Sequence, residues 1–101
     1  MNRTISSALR GSVVEEEVEL TTIELGRACR TTEHQIEVWV AEGVLQPSGA
    51  TRESWRFHGD SLTRMRMATR LMQDLEINAA GVALALDLLD RIAELESRLR
   101  R

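Results

Sequence analysis

Three glutamates recur on one short segment of the chain, at Glu33, Glu37 and Glu42. Fixed negative charge repels phosphate, whereas Lys or Arg would gain affinity for a nucleic acid by releasing counterions. The acidity extends around them, because nine acidic and three basic residues lie between Ser12 and Glu53, a net charge of −6. A surface of this sign suits a basic partner, whose encounter it would speed while excluding wrong partners.

Residues that could support catalysis or metal binding are scattered. His34 and His58 stand alone in a chain with one cysteine, Cys29, so neither a zinc site nor an internal disulfide is predicted. The sequence contains no nucleophile–base set and no glycine-rich phosphate loop. We therefore expect neither an enzyme nor a bound cofactor, and we expect Cys29 to be a small buried hydrophobic residue.

The composition is that of an ordinary globular protein. The 101 residues carry a net charge of −3, and 43% of them are apolar. A free-standing nucleic-acid binder usually has a basic footprint, which the chain as a whole lacks. No stretch has the length of a signal peptide's apolar region or of a membrane span, so we expect a cytoplasmic protein without membrane contact.

The elements that position these side chains are predicted to follow a tail. Residues 1–12 show no periodicity, which predicts a disordered tail ahead of one domain over residues 13–101. The domain divides into a winged helix-turn-helix (13–62) and C-terminal helices (63–101). An imperfect alternation of apolar residues and glutamates over residues 13–20 predicts a short edge strand with one acidic, solvated face.

Two capping boxes mark the starts of two short helices. Residues 21–24 (Thr-Thr-Ile-Glu) and 32–35 (Thr-Glu-His-Gln) place a hydroxyl at the N-cap and a carboxylate or amide three residues later. The second helix, which carries the glutamates, is predicted to end at Gly43, ahead of Pro47. Two short helices joined by a tight turn form a helix-turn-helix. The side chains that the first helix is expected to bury are Ile23, Leu25, Ala28 and Cys29.

Beyond Pro47 the pattern predicts a wing and a third helix. A polar loop over residues 48–54 leads into a strand over residues 54–58. Trp39 and Trp55 are expected to pack in the core or the wing, with an exposed anchor as the alternative. Asp60 begins a helix that reaches about Leu75. The predicted fold is mostly α, a winged helix-turn-helix with a small β wing followed by two C-terminal helices.

Asn78 is a suitable N-cap for a last helix over residues 79–101. Its apolar face is wide up to Leu89, and we expect that half to pack on the domain. The second half alternates by three and four, as in a coiled coil, at Leu88, Ile92, Leu95 and Leu99. This seam predicts a homodimer, in which Arg91 and Glu96 would pair if the helices were parallel. The alternative is an amphipathic helix lying on its own domain.

Other charged residues have structural interpretations. For Arg56 a bond to a nearby carboxylate is favoured, and Asp90 is expected to cap its helix or bridge to Arg91 or Arg56. Arg70 precedes Asp74 by one helical turn. Because such a pair stabilises a helix by only a few tenths of a kcal/mol, Arg70 is also a candidate partner contact.

In this order the parts resemble the MerR-type winged helix-turn-helix over about residues 21–75. The motifs that carry it are Ile-Glu-Leu at 23–25 with Ala28, Gly-Val-Leu-Gln-Pro at 43–47, Trp-Arg-Phe at 55–57 and Leu62. More narrowly, the chain resembles the CbpM-like chaperone modulator family over about residues 19–95. That resemblance adds Arg-Leu at 70–71, Asp-Leu at 74–75 and, above all, Gly-Val-Ala-Leu-Ala-Leu-Asp-Leu-Leu-Asp-Arg-Ile at 81–92.

The resemblance implies binding to the J-domain of CbpA, a DnaJ-type co-chaperone, and inhibition of that domain's action on the Hsp70 chaperone DnaK. It implies no catalysis and no cofactor. It also implies a basic helix on the J-domain, which an acidic helix would complement. Against the MerR pattern, Glu37 stands where a DNA-binding member has arginine. The candidate J-domain contacts are therefore Glu33, His34, Glu37 and Arg70.

Two alternatives to this function remain open. Glu33 and Glu37 could merely solvate a helix face and favour its positive N-terminus. The chain could also be a MerR-like transcriptional regulator that binds DNA through Arg52, Arg56 and Arg64.

Overall fold

The computed structural model describes residues 18–100, where two short strands and four α-helices follow one another. In chain order they are β1 (Glu19–Leu20), α1 (Thr22–Cys29), α2 (Glu33–Ala41), β2 (Phe57–His58), α3 (Asp60–Leu75) and α4 (Ala79–Leu99). A 3₁₀ turn, Arg52–Ser54, lies between α2 and β2. The predicted mostly α fold is confirmed, whereas the tail predicted over residues 1–12 lies outside the described residues. Across residues 18–100, no helix has both the length and the apolar character needed to cross a bilayer.

The two helices of the helix-turn-helix begin at threonine N-caps, as predicted. Thr21 Oγ1 accepts a hydrogen bond from the Glu24 N–H at 3.1 Å, and Glu24 Oε1 accepts one from the Thr21 N–H at 2.8 Å. This pair is a complete capping box. Thr32 Oγ1 accepts from the Gln35 N–H at 3.0 Å, but the reciprocal bond does not occur among the described residues, so the second box is only half formed.

Both helices end at a residue in the left-handed region. Gly43 follows α2 with φ 82°, a conformation that glycine adopts without strain, and the Val44 N–H donates to the Trp39 carbonyl at 2.9 Å. Arg30 closes α1 with φ 54°, although it carries a Cβ. The turn between the helices therefore contains local backbone strain.

Replacing Arg30 with glycine is expected to raise the free energy of unfolding by about 0.5–1 kcal/mol, because glycine removes the strain of the left-handed conformation. The gain is smaller than the strain itself, since glycine also adds entropy to the unfolded chain. Urea denaturation monitored by circular dichroism measures it. The matched control is Arg27→Gly, one turn earlier within α1, which should lose about 1 kcal/mol. A loss of stability in Arg30→Gly would contradict the prediction.

The core lies where α1 packs against α2 and α3, and where α4 packs against the same two helices. Its largest fully buried side chains are Trp39, Phe57, Leu25, Ile36, Leu45, Met65, Leu86 and Val82. The prediction that Trp39 packs in the core is confirmed. Its indole N–H is buried without an acceptor within residues 18–100, so shape rather than hydrogen bonding holds this side chain.

Two residues of α1 contradict their predicted burial. Leu25 is fully buried, but Ile23 is 52% exposed and Ala28 is also exposed. At about 100° per residue, Ile23 lies roughly 200° from Leu25 around the helix, so the two cannot both face the core. Ala28 has only a methyl group and gains little by burial. Cys29 is half-buried; this burial raises the pKa of its thiol, and the nearby Arg66 charge partly offsets the effect.

A two-stranded antiparallel sheet joins the start of the described chain to the end of the wing. Leu20 of β1 lies opposite Phe57 of β2. Of the strand predicted over residues 13–20, only residues 18–20 are described, and β1 is the paired part. The wing (residues 48–56) is closed by mutual backbone hydrogen bonds between Ser48 and Arg56, both 3.0 Å long. The strand predicted over residues 54–58 shrinks to β2, because the 3₁₀ turn occupies its start.

The last helix has two apolar sides. It begins at the predicted N-cap, where Asn78 Oδ1 accepts from the Gly81 N–H at 2.8 Å. Its buried apolar residues are Val82 and Leu86. The prediction that the first half of this helix packs on the domain is confirmed through these two residues, whereas Leu84 and Leu89, which were assigned to the same face, are exposed. We call the exposed row on the other side the outer stripe; it comprises Leu84, Leu88, Ile92, Leu95 and Leu99.

Candidate functional site

A groove opens between the start of α1, α2 and the wing, and we call it the α2–wing groove. The lining residues that define it here are Ile23, Glu33, Glu37, Arg52, Glu53 and Trp55. They come from three separate parts of the chain, which the helix-turn-helix and the β1–β2 sheet bring together. Because residues 33 and 37 are one turn apart on α2, both glutamates lie along the same wall.

The two glutamates of this wall have different surroundings. Glu37 Oε2 lies 3.5 Å from Arg52 Nη1, and the Glu37 side chain is 29% exposed. The Arg52 side chain is 64% exposed, so this is a surface ion pair of small energetic value. Glu33 is exposed and forms no ion pair within residues 18–100. Of the two carboxylates of the α2 wall, only that of Glu37 has an ion-pair partner among the described residues.

The groove also has an apolar side. Ile23 leaves half of its surface open to solvent. Trp55 is half-buried and stands edge-on to the buried Phe57, with ring centroids 6.0 Å apart and an interplanar angle of 79°. This edge-to-face geometry is favourable for aromatic pairs and fixes the Trp55 ring against the core. The groove thus combines an apolar wall with an acidic one.

The four predicted contact residues are not all brought together. Glu33 and Glu37 both line the groove, whereas His34 is exposed on α2 outside its lining. Arg70 is exposed on α3, also outside the lining. Ile23 is a groove residue that was not predicted, because its apolar side chain was expected to lie in the core. The spacing of Ile23 from Leu25 was the signal that could have placed it outside.

Two arginines that the DNA-binding alternative requires are engaged near the groove. Arg52 pairs with Glu37, and Arg56 Nη1 donates to the Trp55 carbonyl at 2.8 Å. The prediction of a carboxylate partner for Arg56 is therefore wrong, because the adjacent carbonyl lies within reach of its guanidinium. Both residues remain exposed to solvent.

The third arginine, Arg64, is held more firmly. Its Nε donates to the Val44 carbonyl at 2.9 Å, and its Nη1 lies 3.3 Å from Asp90 Oδ2. The expected partners of Asp90, Arg91 and Arg56, are thus wrong. Arg64 lies on α3 between the turn after α2 and α4, a placement that sequence spacing could not reveal. We call this set of contacts the Arg64 bridge.

Residues 18–100 contain no group of three or more His, Cys, Asp or Glu side chains suited to hold a metal ion. The side chains that line the groove can recognise a partner through charge and apolar contact.

Comparison with known proteins identifies the family. The family model for the MerR HTH family regulatory protein matches residues 20–101. The chaperone modulatory protein CbpM of Coxiella burnetii (strain Dugway 5J108-111) is 38% identical over 92 residues, which cover 91% of this chain and 87% of that protein. The chain belongs to the CbpM-like chaperone modulator family.

Two further CbpM proteins match over shorter stretches. That of Pseudomonas putida (strain W619) is 40% identical over 67 residues, covering 66% of this chain and 65% of the relative. That of Pseudomonas entomophila (strain L48) is 41% identical over 63 residues, covering 58% and 62%. The predicted membership of the CbpM-like family, with its MerR-type helix-turn-helix, is confirmed. The relatives are named for the modulation of chaperones.

Proposed function

We propose that the chain is a chaperone modulator that binds the J-domain of a CbpA/DnaJ-type co-chaperone. By occupying the surface that Hsp70 (DnaK) needs, it inhibits the co-chaperone's action in the cytoplasm, without catalysis of its own. The observation that carries the proposal is the acidic α2 wall, in a chain that belongs to the CbpM-like family. At the start of this wall Glu33 is exposed and has no ion pair within residues 18–100.

The charges around the groove support a basic protein partner. Glu33 and Glu37 stand on the helix that would meet DNA in a MerR-like regulator, and carboxylates there repel phosphate. Of the three arginines that the alternative needs for phosphate contacts, Arg64 is held by the Val44 carbonyl and Asp90, whereas Arg52 and Arg56 form only exposed surface contacts. We therefore prefer the J-domain to DNA as the partner. Electrostatic complementarity of this kind acts mainly on encounter rate and specificity.

A charge reversal at Glu33 tests the proposal. Titration of the purified protein against the J-domain should give binding at low salt, and Glu33→Arg should weaken it about tenfold, or about 1.4 kcal/mol. Glu33 is preferable to Glu37, because an arginine at position 37 would also repel Arg52 and disturb the wing.

The matched control is Glu76→Arg, which makes the same charge change outside the groove. Glu76 follows α3 at φ 51°, the conformation that Arg30 adopts elsewhere in this chain, so the backbone accommodates the substitution. Its affinity should equal that of the wild type. Equal losses in both variants would assign the effect to net charge, and absence of wild-type binding would reject the J-domain as partner. His34→Ala and Arg70→Ala, measured in the same assay, report on the two candidate contacts outside the groove.

We also propose that the protein forms a homodimer through the outer stripe. The stripe leaves Leu88, Ile92 and Leu95 between 42% and 54% exposed and Leu99 85% exposed. Its spacing puts Ile92 and Leu99 at a positions and Leu88 and Leu95 at d positions. Isoleucine at a with leucine at d favours two parallel strands. The alternative, a helix that covers this face on its own domain, disagrees with that exposure. A second copy offers an identical stripe as its cover.

A further inference from the structure

We infer that the α2–wing groove receives an apolar side chain from a basic amphipathic helix of the partner. The inference rests on the proposed J-domain function and specifies where and by what chemistry the partner docks. The helix would set its apolar side chain between Ile23 and Trp55, while Lys or Arg side chains about one turn away meet the acidic rim.

The apolar part of the groove is the first argument. Ile23 is 52% exposed and shares the groove with the half-buried Trp55. An aliphatic side chain and a ring already fixed by packing, which line the same groove, form a preorganised apolar surface. In protein interfaces a few apolar residues at the centre, shielded from water by a polar rim, contribute most of the binding free energy. A purely electrostatic contact would leave Ile23 without a role.

The charged side chains that line the groove, which form its rim, indicate the sign of the charge that the partner carries. Glu37 is compensated by Arg52, and Arg56 is turned towards the Trp55 carbonyl. Glu33 and Glu53 carry no ion-pair partner within the described residues 18–100. Arg56 keeps its positive charge, because a bond to a carbonyl does not neutralise it, so the five charged side chains that line the groove (Glu33, Glu37, Arg52, Glu53 and Arg56) sum to −1. The two carboxylates without an ion pair in residues 18–100 stand on different walls of the groove. A partner with basic residues on either side of an apolar one satisfies both.

The shape favours a helix over an extended strand. Strand addition needs an open sheet edge, and each strand of the β1–β2 sheet has only two residues. An amphipathic helix instead presents its anchors at a spacing of three or four residues. That spacing places one apolar side chain between basic neighbours on the same face, as the groove requires.

The test separates the apolar contact from the charge contact. In titrations against the J-domain, Ile23→Ser should weaken binding about tenfold and leave the salt dependence of the affinity unchanged. Glu33→Gln should weaken binding and reduce that salt dependence. Leu75→Ser is the matched control, because Leu75 is a similarly exposed apolar residue, at 59%, outside the groove. Both serine variants should keep the wild-type unfolding midpoint, since neither residue is buried.

Tryptophan fluorescence gives an independent readout. Trp39 is 1% exposed, so emission that acrylamide quenches comes from Trp55. J-domain binding should reduce this quenching, after correction for any emission of the J-domain itself. Wild-type binding with an unchanged affinity of Ile23→Ser and unchanged quenching would overturn the groove inference and leave the proposed function standing. Absence of wild-type binding would reject the proposed function and, with it, the groove as its contact.

Discussion

Ile92→Asp is expected to convert the dimer into a monomer and to weaken self-association at least about a hundredfold, or by about 2.7 kcal/mol. In the proposed dimer, residue 92 of one protomer faces its counterpart at an a position. The substitution would place two carboxylates against each other in an apolar interface, where neither can be solvated. Within the single chain Ile92 is 51% exposed, so the fold should tolerate the change.

Sedimentation velocity over a series of concentrations measures the effect, and circular dichroism checks that the helical content is retained. The control is Leu75→Asp, which introduces the same charge at a residue that is 59% exposed on α3, outside the outer stripe. It should remain a dimer. A monomeric wild type, or an Ile92→Asp variant that associates like the wild type, would rule out the outer stripe as a dimer interface.

Arg64→Met should lower the free energy of unfolding by about 2 kcal/mol. The Arg64 side chain is 29% exposed, and its charged Nε donates to the Val44 carbonyl at 2.9 Å. A hydrogen bond from a charged donor contributes about 1.5–3 kcal/mol. Methionine preserves most of the side-chain length and apolar contact, so the change isolates the guanidinium. The loss loosens the contact between the turn after α2 and the C-terminal helices.

Asp90→Asn tests the other arm of the Arg64 bridge. Because the Asp90 side chain is 63% exposed, its ion pair with Arg64 is screened by solvent, and the loss should stay below about 1 kcal/mol. Chemical denaturation of both variants and of the double variant gives the comparison. Equal losses from Arg64→Met and Asp90→Asn would assign the stability to the ion pair instead of the hydrogen bond to Val44.

The helices were predictable because their ends carry local signals. Thr21, Asn78 and Gly43 act within a few residues of themselves, so the chemistry of capping and of the left-handed region is enough to locate α1, α2 and α4. α3 followed from its apolar spacing. In each of these cases the residues that determine a helix and its ends lie within that helix or directly beside it in the sequence.

The wrong predictions of burial and of ion-pair partners have a different cause, because they depend on contacts between elements. Ile23 and Leu25 are both apolar, but a helix of eight residues has one face to bury, and only the packing of α1 on α3 decides which residue that face includes. Asp90 forms its ion pair with Arg64, which is 26 residues away, and not with a residue near it in the sequence. The acidic wall on α2 could be predicted from the spacing of its glutamates. The wall that contains Trp55 could not, because it depends on how the wing packs against the start of α1 and α2.

The register of the β1–β2 sheet has a consequence for how binding preferences can change. Leu20 pairs with Phe57, so the backbone immediately before α1 is tied to the backbone two residues after Trp55. The sheet therefore holds the backbone segment before Ile23 and the backbone segment after Trp55 in a fixed register. A substitution of a side chain that lines the groove can therefore change which ligand groups are recognised while the two backbone segments stay tied by the sheet.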